Sequence, residues 1–346
     1  MDTFSVLRCR QRKGSMSFQQ AEHMRRREFI ALVGASVAWP FAAIAQQAGR
    51  TYRLGGVSVS PRKAPYVVAT FDELRRLGFI EDQNLTIEWL TYGPRVDLIS
   101  KFVTELVKAH VDVIYVGGDT AIRAAQQATT TIPILGLTED MVGEGLVNSL
   151  ARPGGNTTGV SILATELDGK RQDILIEAVP ELHRLAVLVD TTPTRSPQLK
   201  ALQDAARARG VEVSIRRVAN AEEITEAIDA AKASGAAALN VLSSALLYGN
   251  RQLIMDRVAA LRLPAIYQWP EEAEEGGLIA YGPRIVQIFR ELLAQQLVKL
   301  LRGTKPPDIP IEQPTKFELV INLKTAKAIG VTVPEALLVR ADKVIE

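Results

Sequence analysis

The sequence predicts an α/β protein built from two doubly wound parallel-sheet lobes joined by a hinge of several strands. From Tyr52 onward, short β-branched runs alternate with helical patterns, an alternation typical of parallel strands linked by right-handed helical crossovers. Runs such as VDVIYV and IPILGL are apolar throughout, as expected of strands in a sheet covered on both faces. The same rhythm restarts after the turn-rich segment RPGGNTTGVS, which indicates a second lobe.

The first lobe is predicted to contain four strands with helices between them. The strand-like runs are YRLGGVSVS, LTIEWL, VDVIYVGG and IPILGL. Apolar residues at helical spacing predict helices over Pro65–Leu77 and Val96–Ala109, and a third helix from Thr120. Gly78 follows the first of these helices, where a glycine can take the left-handed conformation that ends a helix.

The second lobe repeats the pattern with the strand-like runs LAVLVD, VEVSIRRV, AAALNVL and PAIYQW. Its predicted helices are Glu166–Ala178, Pro197–Arg209, Glu222–Lys232 and Asn250–Leu261. The remaining elements, which include GGLIAYG, a helix over Ile285–Leu301 and FELVIN, exceed what one more sheet needs. We therefore expect the chain to cross back to the first lobe and return.

This path predicts the extent of each lobe. Residues 50–160 plus about 282–312 form lobe 1, and residues 161–281 plus about 313–346 form lobe 2. The extended, Gly- and Pro-rich segments Thr158–Ser161, Tyr281–Arg284 and Gln313–Lys316 are the predicted hinge crossings.

Residues 1–45 have the pattern of an export leader. The stretch MRRREFIALVGASVAWPFAAIAQQ has a basic region at Arg25–Arg27, an apolar region and an A-x-A site ending at Ala45. The segment RREFI resembles a twin-arginine export signal, so we expect recognition by the twin-arginine translocase and cleavage after Ala45. The mature protein is then predicted to be soluble in the periplasm.

Two alternatives to that interpretation stay open. The segment could be retained as a membrane anchor, although Gly34 and Pro40 interrupt it and it is shorter than the ~20 apolar residues that a spanning helix needs. The translation start could be Met1 or Met24, because the residues before Met24 show no strand or helix periodicity.

Composition narrows the classes of partner and chemistry. The leader carries seven basic and three acidic residues, so the full-chain net charge of +2 becomes −2 without it. No cluster of Lys and Arg interleaved with aromatic residues remains, and we expect no nucleic-acid partner. The single cysteine, Cys9, lies in the leader, and His110 and His183 stand at predicted helix ends or strand starts. We therefore expect no disulfide, metal site or cofactor.

Candidate ligand-binding residues follow from the rule that ligands of open parallel sheets bind at the carboxyl ends of the strands. Hydroxyl groups, glycines and carboxylates dominate those loops, as suits a small polar or zwitterionic ligand. The predicted residues are Ser58, Ser60, Gly118, Thr120, Glu139, Asp140, Thr191, Ser243, Tyr267 and Tyr281. Glu139 and Asp140 could anchor a ligand ammonium group or belong to a solvated loop, and Thr120 could be an ordinary helix cap.

Enzymatic motifs are missing from the sequence. It contains no G-x-G-x-x-G, no phosphate loop, no G-x-S-x-G and no H-E-x-x-H. A binding protein is therefore the favoured prediction. The alternative of a different class is a periplasmic enzyme that uses Glu139 or Asp140 as a general base.

Several long segments carry a recognisable pattern, among them LRRLGFIEDQNLTIEW, VDVIYVGGDTAIRAAQQATTTIPI, GLVNSLARPGGNTTGVS, EEGGLIAYG and PIEQPTKFELVINLKTAKAIGVTVP. Together these segments resemble the substrate-binding proteins of ABC transporters related to the tryptophan/tyrosine type. The resemblance implies a type I periplasmic-binding fold, capture of a small ligand between closing lobes, and delivery to an ABC permease in the inner membrane.

The chain departs from that family pattern at two predicted cleft loops. It has Asp140-Met141-Val142 where the family usually has Asp-Pro-Val, and Ser243-Ser244 where an acidic residue and a proline are usual. The ligand therefore stays open between an amino acid and another aromatic or carboxylate compound. A periplasmic ligand sensor, similar to sugar-responsive repressor domains, is a further alternative, although no helix-turn-helix precedes Tyr52.

Overall fold

The computed structural model describes residues 50–162, 164–191 and 196–346, without the side chains of residues 164–166, 196 and 197. The predicted leader and the loop residues Thr192–Thr194 lie outside this description. Thr51–Glu346 forms one compact unit. In that unit no helix has both the length and the hydropathy that a membrane span requires.

The first sheet consists of five parallel strands in the order β2-β1-β3-β4-β5. The strands are β1 (Tyr52–Ser58), β2 (Leu85–Thr91), β3 (Val113–Gly117), β4 (Ile134–Thr138) and β5 (Thr157–Ser161). The connecting helices are α1 (Pro65–Arg76), a 3₁₀ turn (Val96–Leu98) that leads into α2 (Ile99–Lys108), and α3 (Asp119–Ala128). Pro65 suits the first position of α1, where the missing N–H has no partner in the helix to lose.

The second sheet has seven strands in the order β12-β11-β10-β9-β8-β6-β7. They are β6 (Arg184–Asp190), β7 (Glu212–Val218), β8 (Ala238–Val241), β9 (Ala265–Tyr267), β10 (Ile279–Gly282), β11 (Glu318–Asn322) and β12 (Lys343–Ile345). The helices up to β10 are α4 (Ala164–Ala178), α5 (Ser196–Arg207), α6 (Ala221–Ala233), α7 (Ala245–Gly249), α8 (Arg251–Ala260) and α9 (Pro270–Glu274). After β10 come α10 (Ile285–Gln287), a π-helical segment (Ile288–Leu293), α11 (Ala294–Leu301), a 3₁₀ turn (Pro306–Asp308), α12 (Leu323–Ile329) and α13 (Glu335–Leu338).

The predicted fold class, an α/β protein with parallel sheets in two lobes, is confirmed. One detail differs from an all-parallel sheet, because β10 pairs with β11 in the antiparallel sense. The chain leaves the second sheet after β10 and re-enters it at β11 from the same side, so β11 must run in the opposite direction.

The segment between those two strands packs on the first lobe. Phe289, Leu293 and Leu297 belong to the same buried cluster as Tyr66 and Val67 of α1. The second lobe has separate clusters, one of which joins β6, β8 and β9 to α6 and α8.

The chain passes between the sheets at three places, and the first begins later than the sequence predicted. Thr158–Ser161 is part of β5, which pairs with β4 and is buried, so the crossing starts after Ser161. Gly159 is required in this strand because a Cβ atom there would lie 1.8 Å from the Gly136 carbonyl oxygen. The other two passages are the short links from β10 to α10 and from Glu312 to β11.

Candidate ligand-binding site

A cavity of about 70 Å³ lies between the carboxyl ends of strands in the two sheets. Loops after β1, β3 and β4 form its first wall, and loops after β8 and β9 form its second wall. Its polar lining residues are Ser58, Thr138, Glu139, Ser244 and Gln268. Its aromatic lining residues are Tyr66, Tyr115, Tyr248, Trp269 and Phe289.

The aromatic side chains contact one another around the cavity. The Tyr66 ring lies 4.5 Å from the Phe289 ring and 6.3 Å from the Tyr248 ring, centroid to centroid. Tyr115 lies 5.7 Å from Phe289, and Tyr248 lies 6.4 Å from Trp269, both in edge-to-face arrangements. Rings from α1, β3, α7, the loop after β9 and the π-helical segment thus form an apolar surface suited to a flat ring.

Strand alternation explains how Tyr115 reaches the cavity. Val113 and Tyr115 face one buried cluster of the first lobe, whereas Ile114 and Val116 face another. Burial raises the pKa of the Tyr66 phenol and that of Tyr115. Both hydroxyl groups therefore remain protonated at neutral pH and can donate hydrogen bonds.

Glu139 places a carboxylate in this apolar cavity. Its side chain is buried, and Thr138 Oγ1 donates a hydrogen bond to Oε2 at 2.8 Å. Ser243 Oγ, from the loop after β8, donates to Oε1 at 2.8 Å. One carboxylate thus receives hydroxyl groups from both walls and joins the two lobes.

The walls also meet through small residues. A Cβ atom on Gly118 would lie 3.3 Å from the Cβ of Ala245, and one on Gly249 would lie 2.7 Å from Cγ2 of Val59. Gly118 has φ of 87°, a conformation that favours glycine. The close approach of the two lobes at this rim therefore depends on two glycines.

The second wall contains two buried polar atoms with no hydrogen-bond partner among the described residues. They are Oε1 of Gln268 and Nε1 of Trp269. The backbone N–H groups of Gln268 and Trp269 donate to Oε2 of Glu272, at 3.1 and 2.9 Å, and these two hydrogen bonds hold the loop in place. Burial raises the pKa of Glu272 to about 7, so this supporting carboxyl group is only partly ionised at neutral pH.

Five of the sequence-predicted residues lie at or next to the cavity. Ser58, Gly118 and Glu139 line it. Ser243 contacts Glu139, and the Ser60 N–H donates to Ser58 Oγ at 3.1 Å. The rule that placed the ligand at the carboxyl ends of the strands selected these residues.

The structure places the other five elsewhere. Thr120 is exposed on α3 and lines an outer groove, and Asp140 accepts hydrogen bonds from the N–H groups of its own loop at Val142 and Gly143. Tyr267 is packed in the core of the second lobe. Thr191 is exposed at the end of β6, and Tyr281 packs against Phe317 beside a hinge crossing.

Residues of three kinds line the cavity without having been predicted. They are aromatic residues on helices and strands, aliphatic residues such as Ile162 and Ile285, and the pair Gln268 and Trp269. The sequence analysis had selected the loop that contains Gln268 and Trp269, but it named the preceding residue, Tyr267, as the ligand-binding residue. Among the described residues, no group of three or more His, Cys, Asp or Glu side chains could hold a metal ion.

The family model described as ABC transporter substrate binding protein matches residues 70–345. The chain belongs to this family. A tyrosine-binding protein of Clostridioides difficile (strain R20291) is 24% identical over 274 residues, which is 79% of this chain and 77% of that protein.

Solved structures of other proteins share the fold. The ABC domain in complex with L-Trp from Streptococcus pneumonia has a TM-score of 0.76 at 23% identity, covering 85% of this chain and 100% of that one. A conserved domain protein from Vibrio cholerae has a TM-score of 0.77 at 22% identity with the same coverage. The ligand-free, open structure of a substrate binding protein with adhesive properties from Clostridium difficile has a TM-score of 0.58 at 20% identity, covering 85% and 99%.

This substrate-binding protein therefore captures a small ligand for an ABC transporter, whose permease is its partner. Substrate-binding proteins of ABC transporters act outside the cytoplasm, and the family is one of binding proteins.

Proposed function

We propose that the protein captures an aromatic amino acid in the cavity between its lobes and delivers it unchanged to the permease. The observation that carries this proposal is the lining of five aromatic side chains around one buried carboxylate. Rings contribute apolar area and edge-to-face contacts, and the carboxylate can orient a ligand ammonium group. The relative named as tyrosine-binding and the neighbour bound to L-Trp support the same ligand class.

Movement of the lobes admits the ligand in this proposal. The cavity of about 70 Å³ is smaller than the engineered cavity of roughly 150 Å³ that holds benzene. An aromatic amino acid therefore requires the walls to separate or the lining rings to turn. Three short passages between the sheets allow the lobes to move as hinged bodies, and a ligand stabilises the closed state as far as it contacts both walls.

The export of the protein and the fate of its ligand complete the proposal. The protein acts in the periplasm of a cell with an inner-membrane permease, after twin-arginine export and cleavage behind Ala45; the RREFI motif and the A-x-A site support this. The ligand is not transformed. The alternative of an enzyme with Glu139 as general base predicts turnover instead.

One experiment tests the cellular location of the protein and the identity of its ligand together. Native mass spectrometry of the protein purified from a periplasmic extract should give the mass of a chain that begins at Gln46, plus the mass of a bound aromatic amino acid. Calorimetry on the stripped protein should then show that this amino acid binds and is recovered unchanged. A chain retaining Met24 in the membrane fraction would contradict the export proposal, and chemical conversion of the ligand would contradict capture without chemistry.

A further inference from the structure

We infer that the second wall of the cavity selects a ligand whose aromatic ring carries a hydroxyl group, such as tyrosine, over a ligand whose ring carries none. This inference rests on the proposed function and deepens it, because an aromatic amino acid can have a hydroxylated or a plain ring. It follows from two buried polar atoms, Oε1 of Gln268 and Nε1 of Trp269, and from the loop that holds them.

The second wall presents one acceptor and one donor that the described part of the protein does not use. Gln268 and Trp269 follow β9 and both line the cavity. Gln268 is 6% exposed and Trp269 is 4% exposed, and neither Oε1 nor Nε1 has a hydrogen-bond partner among the described residues. A buried polar group without a partner costs free energy until a matching group reaches it. A ligand that supplies that group therefore binds more tightly.

The loop that carries these two atoms is held on several sides. The backbone N–H groups of Gln268 and Trp269 donate to the Glu272 carboxylate. The Gln268 carbonyl lies against β10, where a Cβ atom on Gly282 would come within 2.0 Å of its oxygen. The Trp269 ring packs edge-to-face on Tyr248. The loop cannot turn without breaking these contacts, so a partner for the two atoms has to come from the cavity.

Hydrogen-bonding capacity identifies the group that fits. A hydroxyl group donates one hydrogen bond and accepts others, so it can serve Oε1 of Gln268 and the Nε1–H group of Trp269 at once. A phenyl ring offers neither function, an indole ring only donates, and a carboxylate only accepts. A carboxamide has both functions, but the five aromatic side chains of the lining favour a ring. A phenol is therefore the matching group.

Water held in the cavity is the competing partner for these two atoms. A cavity of about 70 Å³ has room for water, which also donates and accepts hydrogen bonds. A phenol would replace this water and gain both hydrogen bonds. A water that remained in the bound state would serve ligands with and without a hydroxyl group equally. Selectivity for the hydroxyl group therefore distinguishes the two cases.

Ligands that differ in one hydroxyl group test the inference by isothermal titration calorimetry. Tyrosine is compared with phenylalanine and tryptophan, and 3-(4-hydroxyphenyl)propionate is compared with 3-phenylpropionate. We expect tyrosine to bind about ten-fold or more tightly than phenylalanine, because phenylalanine leaves both buried atoms without partners. Phenylalanine or tryptophan binding as tightly as tyrosine would overturn the inference.

Variants of the two residues show whether they cause that preference. Gln268→Met removes the acceptor at similar length, and Trp269→Phe removes the donor but keeps an aromatic ring. Each variant should reduce the preference for tyrosine over phenylalanine several-fold, mainly by weakening tyrosine binding. The ratio of two affinities measured on one variant does not change with a general loss of stability. A preference that is unchanged in both variants would reject this wall as its source.

Trp89→Phe is the matched control. It makes the same chemical change in the first lobe, where Nε1 of Trp89 donates to the Ser60 carbonyl at 3.2 Å and the ring stacks on Tyr115. Trp89 is not among the described lining residues, so this variant should keep the wild-type preference for tyrosine. A loss of preference as large as that in Trp269→Phe would mean that any change among the rings abolishes selection, which would overturn the inference.

The outcomes separate this inference from the proposed function. Amino acids that bind without preference for tyrosine would leave the proposed function intact and overturn the inference. If no amino acid binds but the hydroxylated propionate binds more tightly than 3-phenylpropionate, the inference stands and the amino-acid ligand is wrong. Absence of binding across the whole panel would reject both.

Discussion

The two ends of the contact between the lobes differ in what holds them. At the hinge end, backbone hydrogen bonds anchor the start of a crossing on the first lobe: Glu312 and β5 exchange two of them, and Thr158 Oγ1 donates to the Ile309 carbonyl at 2.7 Å. At the cavity end, the contacts are the Ser243–Glu139 hydrogen bond and the close approach of Gly118 and Gly249 to the opposite wall. Backbone pairing is hard to break, whereas side-chain contacts of this kind can open and close. The contrast indicates a permanent hinge and a reversible rim.

Two buried carboxylates illustrate the same contrast. Asp168 and Arg171 are fully buried on α4, and the Arg171 Nε donates to the Tyr281 carbonyl at 2.7 Å just before a crossing. Glu139 receives neutral hydroxyl groups from both walls. A buried acid with a cationic partner stabilises the fold, because removing either partner leaves the other charge buried and unpaired. Glu139, by contrast, lines the cavity, where a ligand can contact its carboxylate.

The largest expected effect follows from breaking the ion pair at the hinge. Asp168→Ala leaves the Arg171 guanidinium buried without its carboxylate, and we expect the free energy of unfolding to fall by about 3–5 kcal/mol. Urea denaturation of the variant and the wild type measures this change in the free energy of unfolding.

The control for that variant lies on the same helix. Asp173 pairs with Arg209 at 3.3 Å on the surface, and Asp173→Ala should cost about 0–1 kcal/mol. Equal losses in the two variants would remove the distinction between a structural ion pair at the hinge and an ordinary surface pair.

A medium effect is expected at the rim. In Gly249→Ala the new methyl group would meet Val59 across the interface and hinder closure. We expect ligand affinity to fall about ten-fold, or ~1.4 kcal/mol, because the ligand must then stabilise a strained closed state. Stability of the unliganded protein should not fall, since the lobes can separate and alanine is favoured over glycine in a helix.

The partner variant Val59→Ala makes that prediction specific. The double variant should recover most of the affinity lost in Gly249→Ala, once the effect of Val59→Ala alone is subtracted in a double-mutant cycle. Calorimetry on all four proteins gives the coupling. Additive losses would mean that Gly249 and Val59 do not meet in the liganded state.

The sequence predicted the scaffold better than the lining of the site. Apolar runs such as VDVIYV identified buried parallel strands because their side chains face covered surfaces on both sides. The rule for strand ends then found Ser58, Gly118 and Glu139. The reversal at β11 was missed, because the path of a returning chain depends on distant packing rather than on local periodicity.

Side-chain direction explains most of the remaining differences. In the loop after β9 the prediction chose Tyr267, but strand alternation turns this ring into the core of the second lobe, and Gln268 and Trp269 line the cavity. Phe289 was assigned to an ordinary helix, where an aromatic residue usually belongs to the core. It reaches the cavity from a π-helical segment that no periodicity in the sequence distinguished.

The smallest expected effect concerns two threonines: Thr120, which lies at the start of α3, and Thr138, which ends β4. Thr120 is exposed in a groove outside the cavity, so Thr120→Val should change neither affinity nor stability by more than about 0.5 kcal/mol. Thr138 donates to Glu139 inside the cavity, so Thr138→Val removes one orienting hydroxyl group at nearly constant volume and should weaken binding several-fold. Calorimetry and the unfolding midpoint of both variants distinguish the two positions. Lost affinity in Thr120→Val with an unchanged midpoint would extend the site beyond the cavity and place the ligand against α3, as the sequence had predicted.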